Sequence, residues 1–494
     1  MKTLGFSTTE IKKIRFVTLW KFGGTMHLKI KVIFVGTCIA VLSLGGNAFA
    51  SSFADVHGFS ARGIAMGNAM TAIVNDWSSV YYNMAGLGKT VHNKSAGSGQ
   101  DLDMGLKRKK KGAVAAGNTK SYINELYLGM MYVAPMLTLD HAPASYEIKA
   151  TDGLNYGILN IGLAVDLNII YKMPKFISSA RLGVGMGTPA DGSVAKVNDI
   201  DPDSHNFMRY GREAQMAKIM VGFGFGFLDD MFGVGLGVNA SFSGEGSVVM
   251  NGVDISATPQ APESDSRMDL ALSPSIVAGL YFDFSKVVPI LNGLQVGASY
   301  RQETAMQIDP FDAAAIVPDT MQMQMALAIF DYYAPHTVTA GVAYTRWGLT
   351  VSADVEIAFW KYYQVSSSVE VNNPDLPNLQ NIIIPKIGFS YEALDWLTLM
   401  TGYTYQPSFI PDGEMSGDAD FLDNDKHIFS LGSTFKLGKL FGFGGPIEIT
   451  VAYQFQLLPE REVIKADSTS ENEEPDYAYG GTCHAVSIGF MLKL

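Results

Sequence analysis

The sequence predicts an all-β protein: a transmembrane antiparallel β-barrel of about fourteen strands with a plug of short helices in its lumen. Apolar and polar residues alternate with period two in runs of about ten residues, the length of a tilted membrane strand. Aromatic residues gather at the ends of these runs, as in the interfacial girdles of outer-membrane barrels. The connections between the runs alternate between short and long, as periplasmic turns and outer loops do.

The alternation is clearest in residues 349–359. One face of this run holds Leu, Val, Ala, Val, Ile and Phe, and the other holds Thr, Ser, Asp, Glu and Ala. The runs that begin at Val234, Leu294 and Ile447 alternate in the same way. Alternation alone also fits a soluble β-sandwich. The mixture of Gly, Ser, Thr and charged residues on the polar face favours the wet lumen of a barrel.

The runs define fourteen predicted strands. Tight turns follow the even-numbered strands, and an even count places both chain ends on the periplasmic side. Trp347 and Trp396 lie at two tight turns, and Trp360 and Tyr362 lie at the far end of another strand, so we expect all four in the girdles. The predicted strands are 122–134, 156–168, 179–187, 216–227, 232–248, 266–284, 292–307, 322–345, 348–363, 379–391, 395–408, 426–437, 446–459 and 484–494.

Residues 1–50 are expected to be a signal peptide that is cleaved on export. Lys29 and Lys31 precede an apolar run that is too short for a transmembrane helix, and the small residues 48–50 suit a cleavage site. The part of the chain ahead of Met26 fits no signal pattern, which favours Met26 as the true start.

Composition excludes several classes of protein. Residues 1–50 hold seven Lys or Arg and one Glu, so their removal changes the net charge from −12 to −18. An exported chain this acidic is a poor nucleic-acid binder. Cys483 is then the one remaining cysteine, which excludes an intramolecular disulfide and a thiolate metal cluster. We expect no cofactor and no metal.

Residues 51–89 are predicted to form a hatch inside the barrel. A barrel of fourteen strands is too wide to be filled by its own side chains and holds either a channel or a plug. The small residues of this segment allow short, closely packed helices. We expect residues 90–121, with the sequence KRKKK at 107–111, to form a polar basic insert, and residues 122–494 to form the barrel.

The segment GFSARGIAMGNAMTAIVNDWSSVYYNMAGLG resembles the N-terminal hatch of the FadL/TodX family of outer-membrane transporters of hydrophobic compounds. The family pattern places Gly63, Gly67, Asn83 and Ala85 in the hatch motif. Met84 stands where the family has Pro, so the φ angle that a proline ring fixes is not fixed here. The stretches GVAYTRWGLTVSADVEIAFW and GYTYQPSFIPDG extend the resemblance, more loosely, along the barrel.

The resemblance implies transport of long-chain fatty acids across the outer membrane by passive diffusion. The solute is captured by outer loops, held in an apolar pocket above the hatch, and released sideways through a gap where the third strand kinks. Uptake of aromatic hydrocarbons is the alternative within the family. The implied partners are the solute, the lipid bilayer, lipopolysaccharide and, during insertion, the barrel-assembly machinery. The implied state is a monomer in the outer membrane.

The candidate site residues follow from these steps. The apolar outer loop 309–321 is a candidate for capture, and glycines of the third strand weaken a strand and permit a kink. An arginine in the lumen pairs either with a ligand carboxylate or with other charges of the wall. Packing within the hatch, and simple provision of lumen space by glycine, are the alternative roles. The candidates are Phe53, Phe59, Met66, Phe311, Ile316 and Val317 for ligand contact, Gly183, Gly185 and Gly187 for the lateral opening, and Arg301, Glu303, Asp354 and Glu356 for lumen charge.

Three other classes of barrel fit the sequence less well. A barrel enzyme needs a nucleophile beside a base, whereas the histidines after residue 50 are scattered and lie in no recognisable Ser or Asp motif. A general porin does not need a hatch. A surface adhesin has longer and more varied loops. We therefore expect a transporter that is not an enzyme.

Overall fold

The structure is a computed structural model. It describes residues 53–90, 124–142, 155–190, 205–207, 209–210, 217–251, 263–306, 308–317, 321–326, 332–362, 378–413, 420–437, 446–465 and 476–494. The expected signal peptide and the basic insert lie outside the described residues. Among the described residues, none of the helices has the length and apolar character needed to cross a membrane.

Fourteen of the described strands close into one antiparallel barrel. Each wall strand pairs with its neighbours in sequence order, and the first and last wall strands pair over eighteen residues to complete the ring. The wall strands are β1 (Glu125–Ala142), β2 (Tyr156–Asp166), β3 (Ile177–Pro189), β5 (Lys218–Phe227), β6 (Phe232–Asn251), β7 (Glu263–Asp283), β8 (Leu294–Arg301), β13 (Thr337–Arg346), β14 (Leu349–Ala358), β15 (Ile382–Leu394), β16 (Leu397–Gln406), β18 (Lys426–Leu437), β19 (Ile447–Val463) and β20 (Asp476–Lys493).

Six further described strands lie outside the wall. β10 (Ile308–Val317) pairs in parallel with the outer half of β6, beyond the end of β5, and β11 (Met321–Ala326) pairs with β10. The other four form two small sheets, in which β9 (Thr304–Met306) pairs with β12 (Tyr332–Ala334) and β4 (His205–Phe207) pairs with β17 (Asp420–Leu422).

The predicted fold class is confirmed, including the number of wall strands. The boundaries were wrong at several places. β1 continues to Ala142, eight residues beyond its predicted end at 134, and the predicted strand 292–307 is two strands, of which β9 lies outside the wall. The predicted strand 322–345 is three separate strands, and the wall strand among them begins at Thr337. The last strand begins at Asp476, eight residues before the predicted start, because its polar outer end pairs with β1 and β19 although it lacks the apolar alternation.

The wall is apolar outside and polar inside, as the alternation predicts. On β14, the side chain of Val355 is 46% exposed, whereas Asp354 is 2% exposed and Ser352 is fully buried. A soluble protein turns its apolar side chains inward. An apolar outer face is the opposite arrangement and suits a wall in contact with lipid hydrocarbon. The same outward exposure is found around the described wall, at Leu128, Met130, Leu236, Leu280, Val342, Ile383, Leu399, Leu431, Ile488 and Phe490.

The turns carry part of the predicted girdle. Trp347 is 83% exposed at the turn between β13 and β14, and Trp396 is half-exposed at the turn after β15. Tyr362 is exposed at the outer end. The prediction for Trp360 was wrong: its ring turns inward and stacks on Phe409 at a centroid distance of 4.0 Å. The short 3₁₀ helix Trp360–Tyr362 points this ring into the barrel mouth instead of the lipid.

The hatch consists of three short α-helices and one 3₁₀ helix. They are α1 (Phe53–Val56), α2 (Ala61–Ala65), α3 (Ser79–Tyr82) and the 3₁₀ helix Met84–Gly88. Helices this short are not stable in isolation, because the free-energy cost of nucleating a helix exceeds the stabilisation that one turn provides. They are held by burial against the lumen side of the wall, where nearly all of residues 53–89 are buried. Other described 3₁₀ helices lie in connections, at Leu167–Ile169, Phe284–Lys286 and Pro289–Leu291.

Candidate functional site

A buried arginine of β3 fastens the end of the hatch to the wall. The Arg181 guanidinium donates through Nε to the carbonyl of Leu87 at 2.8 Å and through Nη2 to the carbonyls of Asn75, Gly86 and Lys89. The bond to Leu87 satisfies a carbonyl at the C-terminal end of the 3₁₀ helix. The side chain of Glu125 on β1 lies 3.6 Å from Arg181 Nη1 and accepts from the backbone N–H of Trp77.

Two further wall residues bind the hatch backbone on the opposite side of the lumen. Asp354 of β14 accepts from the N–H of Thr71 at 2.8 Å. Thr404 of β16 donates to the carbonyl of Gly67 at 2.6 Å. The hatch is therefore hydrogen-bonded to widely separated strands of the ring, and these side chains replace the water that its buried backbone groups would otherwise need.

The start of the hatch is bound by a histidine cluster. His57 Nε2 lies 2.8 Å from the Tyr156 hydroxyl, and Nδ1 lies 3.2 Å from Gln454 Oε1 and 3.0 Å from Gln456 Nε2. The two glutamine amides also donate to the backbone carbonyls of His57 and Val56. Burial lowers the pKa of His57 to about 4, against the smaller opposing effect of its bond to Gln454. The imidazole is therefore neutral at ordinary pH.

The hatch motif residues are turn and packing residues. Gly63 faces the Tyr82 hydroxyl so closely that a Cβ there would clash, and Gly67 has a φ of +58° directly against the backbone of β16. Asn83 caps the 3₁₀ helix by accepting from the Ala85 N–H, and its amide donates to the carbonyls of Thr71 and Leu280. The Met84 side chain packs against the glycines of β5 and β6. At the position where the family has proline, this chain therefore has a side chain that fills the space over those glycines.

The predicted ligand contacts in the hatch lie in its own core. Phe53 and Phe59 are fully buried and stacked at 6.1 Å, and Phe59 also packs on Tyr81 and Trp77. Met66 is fully buried against the wall glycines 388 and 402. These three side chains do not line the cavity described below.

The predicted glycines of the lateral opening lie in a continuous part of the wall. Gly183, Gly185 and Gly187 pair with β2 on one side and β5 on the other, without a gap in this described stretch. A Cβ at Gly185 would lie 2.7 Å from Val80 and 2.8 Å from Phe59 of the hatch. In this conformation the glycines provide room for hatch side chains, and a lateral opening at these positions stays a prediction.

The predicted capture residues lie on a strand. Phe311, Ile316 and Val317 belong to β10, which extends the outer half of the wall sheet, whereas the prediction was an irregular loop. The loop interpretation was wrong because β6 and β7 run far beyond the wall and offer β10 a partner, which alternation in β10 itself does not reveal. The side chains of β10 lie outside the part of the chain that the structure describes.

A small cavity of about 30 Å³, room for about one water molecule, lies between α1 and the wall at the outer end of β8. Its lining is charged on one side and apolar on the other. It brings together residues from the hatch, from eight wall strands and from the outer connections. Those that define its character are Asp55, Lys218, Arg301, Glu356, Met220 and Trp360.

The charges of the cavity form a chain of ion pairs. Asp55 Oδ1 lies 3.3 Å from Arg301 Nη2, and Asp55 Oδ2 lies 3.8 Å from Lys218 Nζ. Arg301 also lies 3.6 Å from Glu356, which accepts from Lys386 at 3.0 Å. These three cations face two carboxylates in ion pairs, and Asp354 lies directly opposite Lys386 in the register of β14 and β15. Burial raises the pKa of the Asp55 carboxyl, but Lys218 and Arg301 outweigh burial and hold that pKa below its usual value.

Aromatic rings complete the charged side. The Arg301 guanidinium lies 4.3 Å from the centroid of the Tyr81 ring, and Lys218 Nζ lies 5.2 Å from it. The Tyr81 hydroxyl donates to Asp55 Oδ1 at 2.8 Å. A ring face attracts cations, so Tyr81 positions both cations while its hydroxyl holds the carboxylate between them.

The outer side of the cavity is closed by the segment between β16 and β18. Phe409 is fully buried and stacks on Trp360, and the Arg209 guanidinium lies 4.7 Å from the Phe409 ring. The buried Asp423 accepts from the Phe409 N–H at 3.0 Å and from Lys426 Nζ at 2.6 Å. Asp423 and Lys426 therefore hold the stacked rings of Phe409 and Trp360, here called the plug at Phe409, in the mouth of the barrel.

The four predicted lumen charges separate into three groups. Arg301 and Glu356 line the cavity, Asp354 binds the hatch backbone, and Glu303 lies beside His336 at 3.3 Å near the outer rim. Sequence reasoning missed Asp55 and Lys218. Lys218 was detectable as the charged first residue of the lumen face that continues with Met220 and the glycines of β5. Asp55 had no signal beyond being an acid in an otherwise apolar helix.

Comparisons with known proteins agree with this architecture. No protein-family model matches the chain. It is 23% identical to alkane uptake protein A of Marinobacter nauticus over 398 residues, which cover 76% of this chain and 84% of that protein. The crystal structure of a Pseudomonas aeruginosa FadL homologue matches with a TM-score of 0.52 at 13% identity, covering 91% of this chain and 99% of that one. The P. putida toluene transporter TodX matches with a TM-score of 0.50 at 13% identity, covering 89% and 99%. The chain therefore has the fold of these two proteins, a fourteen-stranded barrel with an N-terminal hatch, in agreement with the resemblance of its hatch sequence.

Proposed function

We propose that the protein carries hydrophobic compounds across the outer membrane, and that its preferred solutes are long-chain fatty acids. A plugged barrel suits this task better than an open water channel. The hatch and the plug at Phe409 occupy the lumen at two levels, which favours a solute held between them over free diffusion of small polar molecules. The same filling argues against a general porin.

The observation that carries the choice of solute is the group of cations beside the cavity. Lys218, Arg301 and Lys386 face the carboxylates of Asp55 and Glu356 within one group of ion pairs. Buried cations attract an anionic head group, because a buried charge is costly without a partner. A fatty-acid carboxylate binds such cations through charge-assisted hydrogen bonds, while the apolar part of the lining, such as Met220 and Trp360, contacts the start of its chain.

Passage then follows the gradient of solute and needs no energy source. Capture outside the barrel, with β10 as the candidate surface, concentrates the solute at the mouth. The cavity holds its head group, and the hatch separates it from the periplasm. Sideways release into the bilayer at β3 requires separation of strands that are fully paired in this conformation. Release through the wall therefore needs movement of the hatch side chains that pack on the glycines.

Uptake of labelled oleate tests this proposal, in cells that lack their own long-chain fatty-acid transporter and express this barrel. We expect uptake by the wild type, and a decrease of about tenfold for Lys218→Ala, the loss expected for one charge-assisted bond. Lys436→Ala is the matched control, because Lys436 pairs with Glu392 near the turn at Trp396, away from the cavity. Absence of oleate uptake by a correctly inserted barrel would contradict the choice of fatty acids, and entry of small sugars would favour a porin.

Alkanes are the second candidate solute. The curated relative described above is named for alkane uptake and aligns with 76% of this chain. An alkane has no group that recognises the charges of the cavity, so it would use the apolar lining alone. Equal uptake of labelled hexadecane and palmitate, with no effect of Lys218→Ala on either, would favour this candidate over fatty acids.

A further inference from the structure

Two turns at the periplasmic end of the barrel expose large apolar side chains. They are residues 167–176, here called the β2–β3 turn, and residues 284–293, here called the β7–β8 turn. At the same end, the reversal between β13 and β14 takes only two residues. Large apolar side chains gathered on a protrusion mark a surface that lipid or a partner molecule covers. The exposed apolar residues of the two turns are Ile170 (71%), Tyr171, Phe176, Val287, Val288 and Ile290 (87%).

The β2–β3 turn has a defined backbone conformation. The Asp166 carboxylate caps its 3₁₀ helix by accepting from the N–H of Asn168 at 2.8 Å. The N–H groups of Ile170 and Tyr171 both donate to the carbonyl of Leu167, at 3.0 and 2.9 Å. The backbone of the turn is therefore ordered at two of the residues that expose their side chains.

A row of aromatic rings joins the β2–β3 turn to the lipid-facing side of the wall. Phe176 stacks on Phe227 at a centroid distance of 6.4 Å, and Phe227 stacks on Phe232 at 5.0 Å. Phe227 lies on the outer face of β5, because the alternate residues Gly224 and Gly226 pack against the hatch. The outer face of the wall contacts lipid hydrocarbon. The row therefore leads from lipid-facing wall directly into the turn.

Two lysines give this apolar surface a positive charge. Lys172 and Lys175 are exposed, and residues 167–176 contain no Asp or Glu. Neither lysine forms an ion pair with any residue that the structure describes. The adjoining turn between β5 and β6 exposes one acid, Asp229, which leaves the surface cationic as a whole. Lysines beside exposed apolar side chains are typical of segments that lie in an anionic membrane interface, where the apolar groups enter the acyl region and the ammonium groups reach phosphates.

We propose that the β2–β3 turn is a binding site for anionic phospholipid in the periplasmic leaflet of the outer membrane. Lys172 and Lys175 bind the phosphate of the head group. Ile170, Tyr171 and Phe176 contact the glycerol and acyl region beside it. The β7–β8 turn enters the same leaflet with its exposed apolar residues. The inference is independent of the solute that the barrel carries.

The two turns also give the bound lipid a mechanical role. They join β2 to β3 and β7 to β8, so they border the side of the wall on which the end of the hatch packs. Side chains that bind in the interface set the depth and tilt of a membrane-spanning element. Lipid bound at these turns therefore fixes the position of β3 and β5 relative to the periplasmic leaflet.

The depth of the turns in a bilayer tests the site. The full-length barrel without its own cysteines (Cys38→Ala, Cys483→Ala) is spin-labelled at Ile170→Cys or Ile290→Cys and reconstituted in vesicles of phosphatidylethanolamine and phosphatidylglycerol. Asp395→Cys is the matched control, because Asp395 is an exposed acid in the tight turn between β15 and β16. We expect the first two labels to collide mainly with oxygen, which concentrates in lipid, and the control label to collide mainly with an aqueous nickel chelate.

Retention of lipid tests the two lysines. Native mass spectrometry of the barrel, released from nanodiscs of the same two lipids, counts the phosphatidylglycerol that stays bound. We expect the wild type to retain phosphatidylglycerol in preference to phosphatidylethanolamine. Lys172→Gln combined with Lys175→Gln should lower this preference about tenfold, the loss expected for two lysines beside an anionic surface that salt partly screens. Lys361→Gln is the matched control, since Lys361 is an exposed lysine at the outer end of β14.

The outcomes are distinct. Labels in lipid, together with a preference that falls in the double variant and not in the control, support the inference. A water-exposed label at Ile170→Cys would show that the turn faces the periplasm; its occupant would then be a soluble partner, and the inference would be wrong. Labels in lipid with an unchanged lipid preference in the double variant would reduce the turn to an apolar anchor and contradict the head-group site. None of these results bears on the solute, so the proposed function stands or fails by its own uptake experiment.

Discussion

At the scale of single residues, the attachment of the hatch depends on a few buried polar side chains. Arg181 is 2% exposed and donates to four hatch carbonyls, and the carboxylate beside it, Glu125, accepts from the hatch as well. Removing one member of a buried polar network leaves the others without partners, which costs more than the network contributes when intact.

We expect Arg181→Ala to destabilise the attached hatch by about 3–5 kcal/mol. The free energy of local opening at residues 84–89, measured by hydrogen exchange, checks this value. Arg62→Ala is the control, because Arg62 pairs with Asp76 on the hatch itself and its side chain is 35% exposed; we expect a cost below about 1 kcal/mol there. Equal costs for the two variants would contradict the anchoring role of Arg181.

The buried His57 makes the attachment of the hatch pH-dependent. Its pKa falls from 6.5 to about 4 in the folded protein, so the unfolded or detached state takes up a proton first as the pH falls. Stability contributed by neutral His57 is therefore complete above about pH 6.5 and decreases toward pH 4, by about 3 kcal/mol in total. Exchange rates of residues 53–60 between pH 7 and pH 4, corrected for intrinsic exchange, measure this change.

His57→Asn removes the titrating group and should flatten that pH profile. The variant also loses one contact to Tyr156, so its exchange is expected to be faster than that of the wild type at pH 7. A variant profile as steep as the wild-type profile would show that another group controls the pH dependence.

At the scale of the elements, the glycines of β3 make the strand and the hatch fit each other. Each of Gly183, Gly185 and Gly187 lies under a hatch side chain, and a Cβ at these positions would clash. We expect Gly185→Leu to displace the hatch while β3 still pairs in the wall, because the extra side chain needs the space of Val80 and Phe59. Limited proteolysis of residues 53–90 in the inserted barrel measures the displacement.

The same substitution in a barrel without residues 51–85 is the control for Gly185→Leu. There the lumen is vacated, and we expect no loss of insertion or of thermal stability relative to the deletion alone. A large loss in the deletion background would mean that the strand itself needs glycine, for a kink or for pairing.

Several properties of the elements were accessible from the sequence. Period-two alternation located all fourteen wall strands, since the lipid and the lumen impose opposite polarity on alternate residues. The alternation did not reveal β10 or the polar start of β20. These two segments are extended because a partner strand is present, and not because their two faces differ in polarity. The alternation also placed Trp360 in the girdle, although stacking with Phe409 turns this ring inward.

At the scale of the whole molecule, the barrel is a ring that closes on itself around the hatch. The backbone groups of Asn124 and Leu494 exchange two hydrogen bonds, of 2.9 and 2.8 Å, where the ring closes. The hatch residues Phe53, Phe59 and Trp77 lie inside this ring and share one core with lumen-facing wall side chains. The strand pairing that closes the wall does not include the hatch, so the wall is expected to form without it.

We expect deletion of residues 51–85 to leave a correctly inserted barrel with a large ion conductance in planar bilayers, against a low conductance of the intact protein. The reason is that a barrel of this size is not filled by its own wall side chains. The heat-modifiable migration of the folded barrel in gel electrophoresis is the control for insertion. A low conductance of the inserted deletion variant would mean that the plug at Phe409 alone closes the lumen.

The sequence by itself determined the barrel, its strand number and the presence of a hatch, because these follow from polarity patterns and small residues that act locally along the chain. It placed Arg301 and Glu356 in the lumen for the same reason. Only the tertiary structure decided which charges meet. Asp55 and Lys218 are 163 positions apart and lie on different elements, so their pairing depends on the orientation of the hatch inside the barrel. Alternation assigns a residue to the lipid side or the lumen side of the wall. Which lumen residue meets which hatch residue is decided by side-chain packing, and packing leaves no periodic pattern in the sequence.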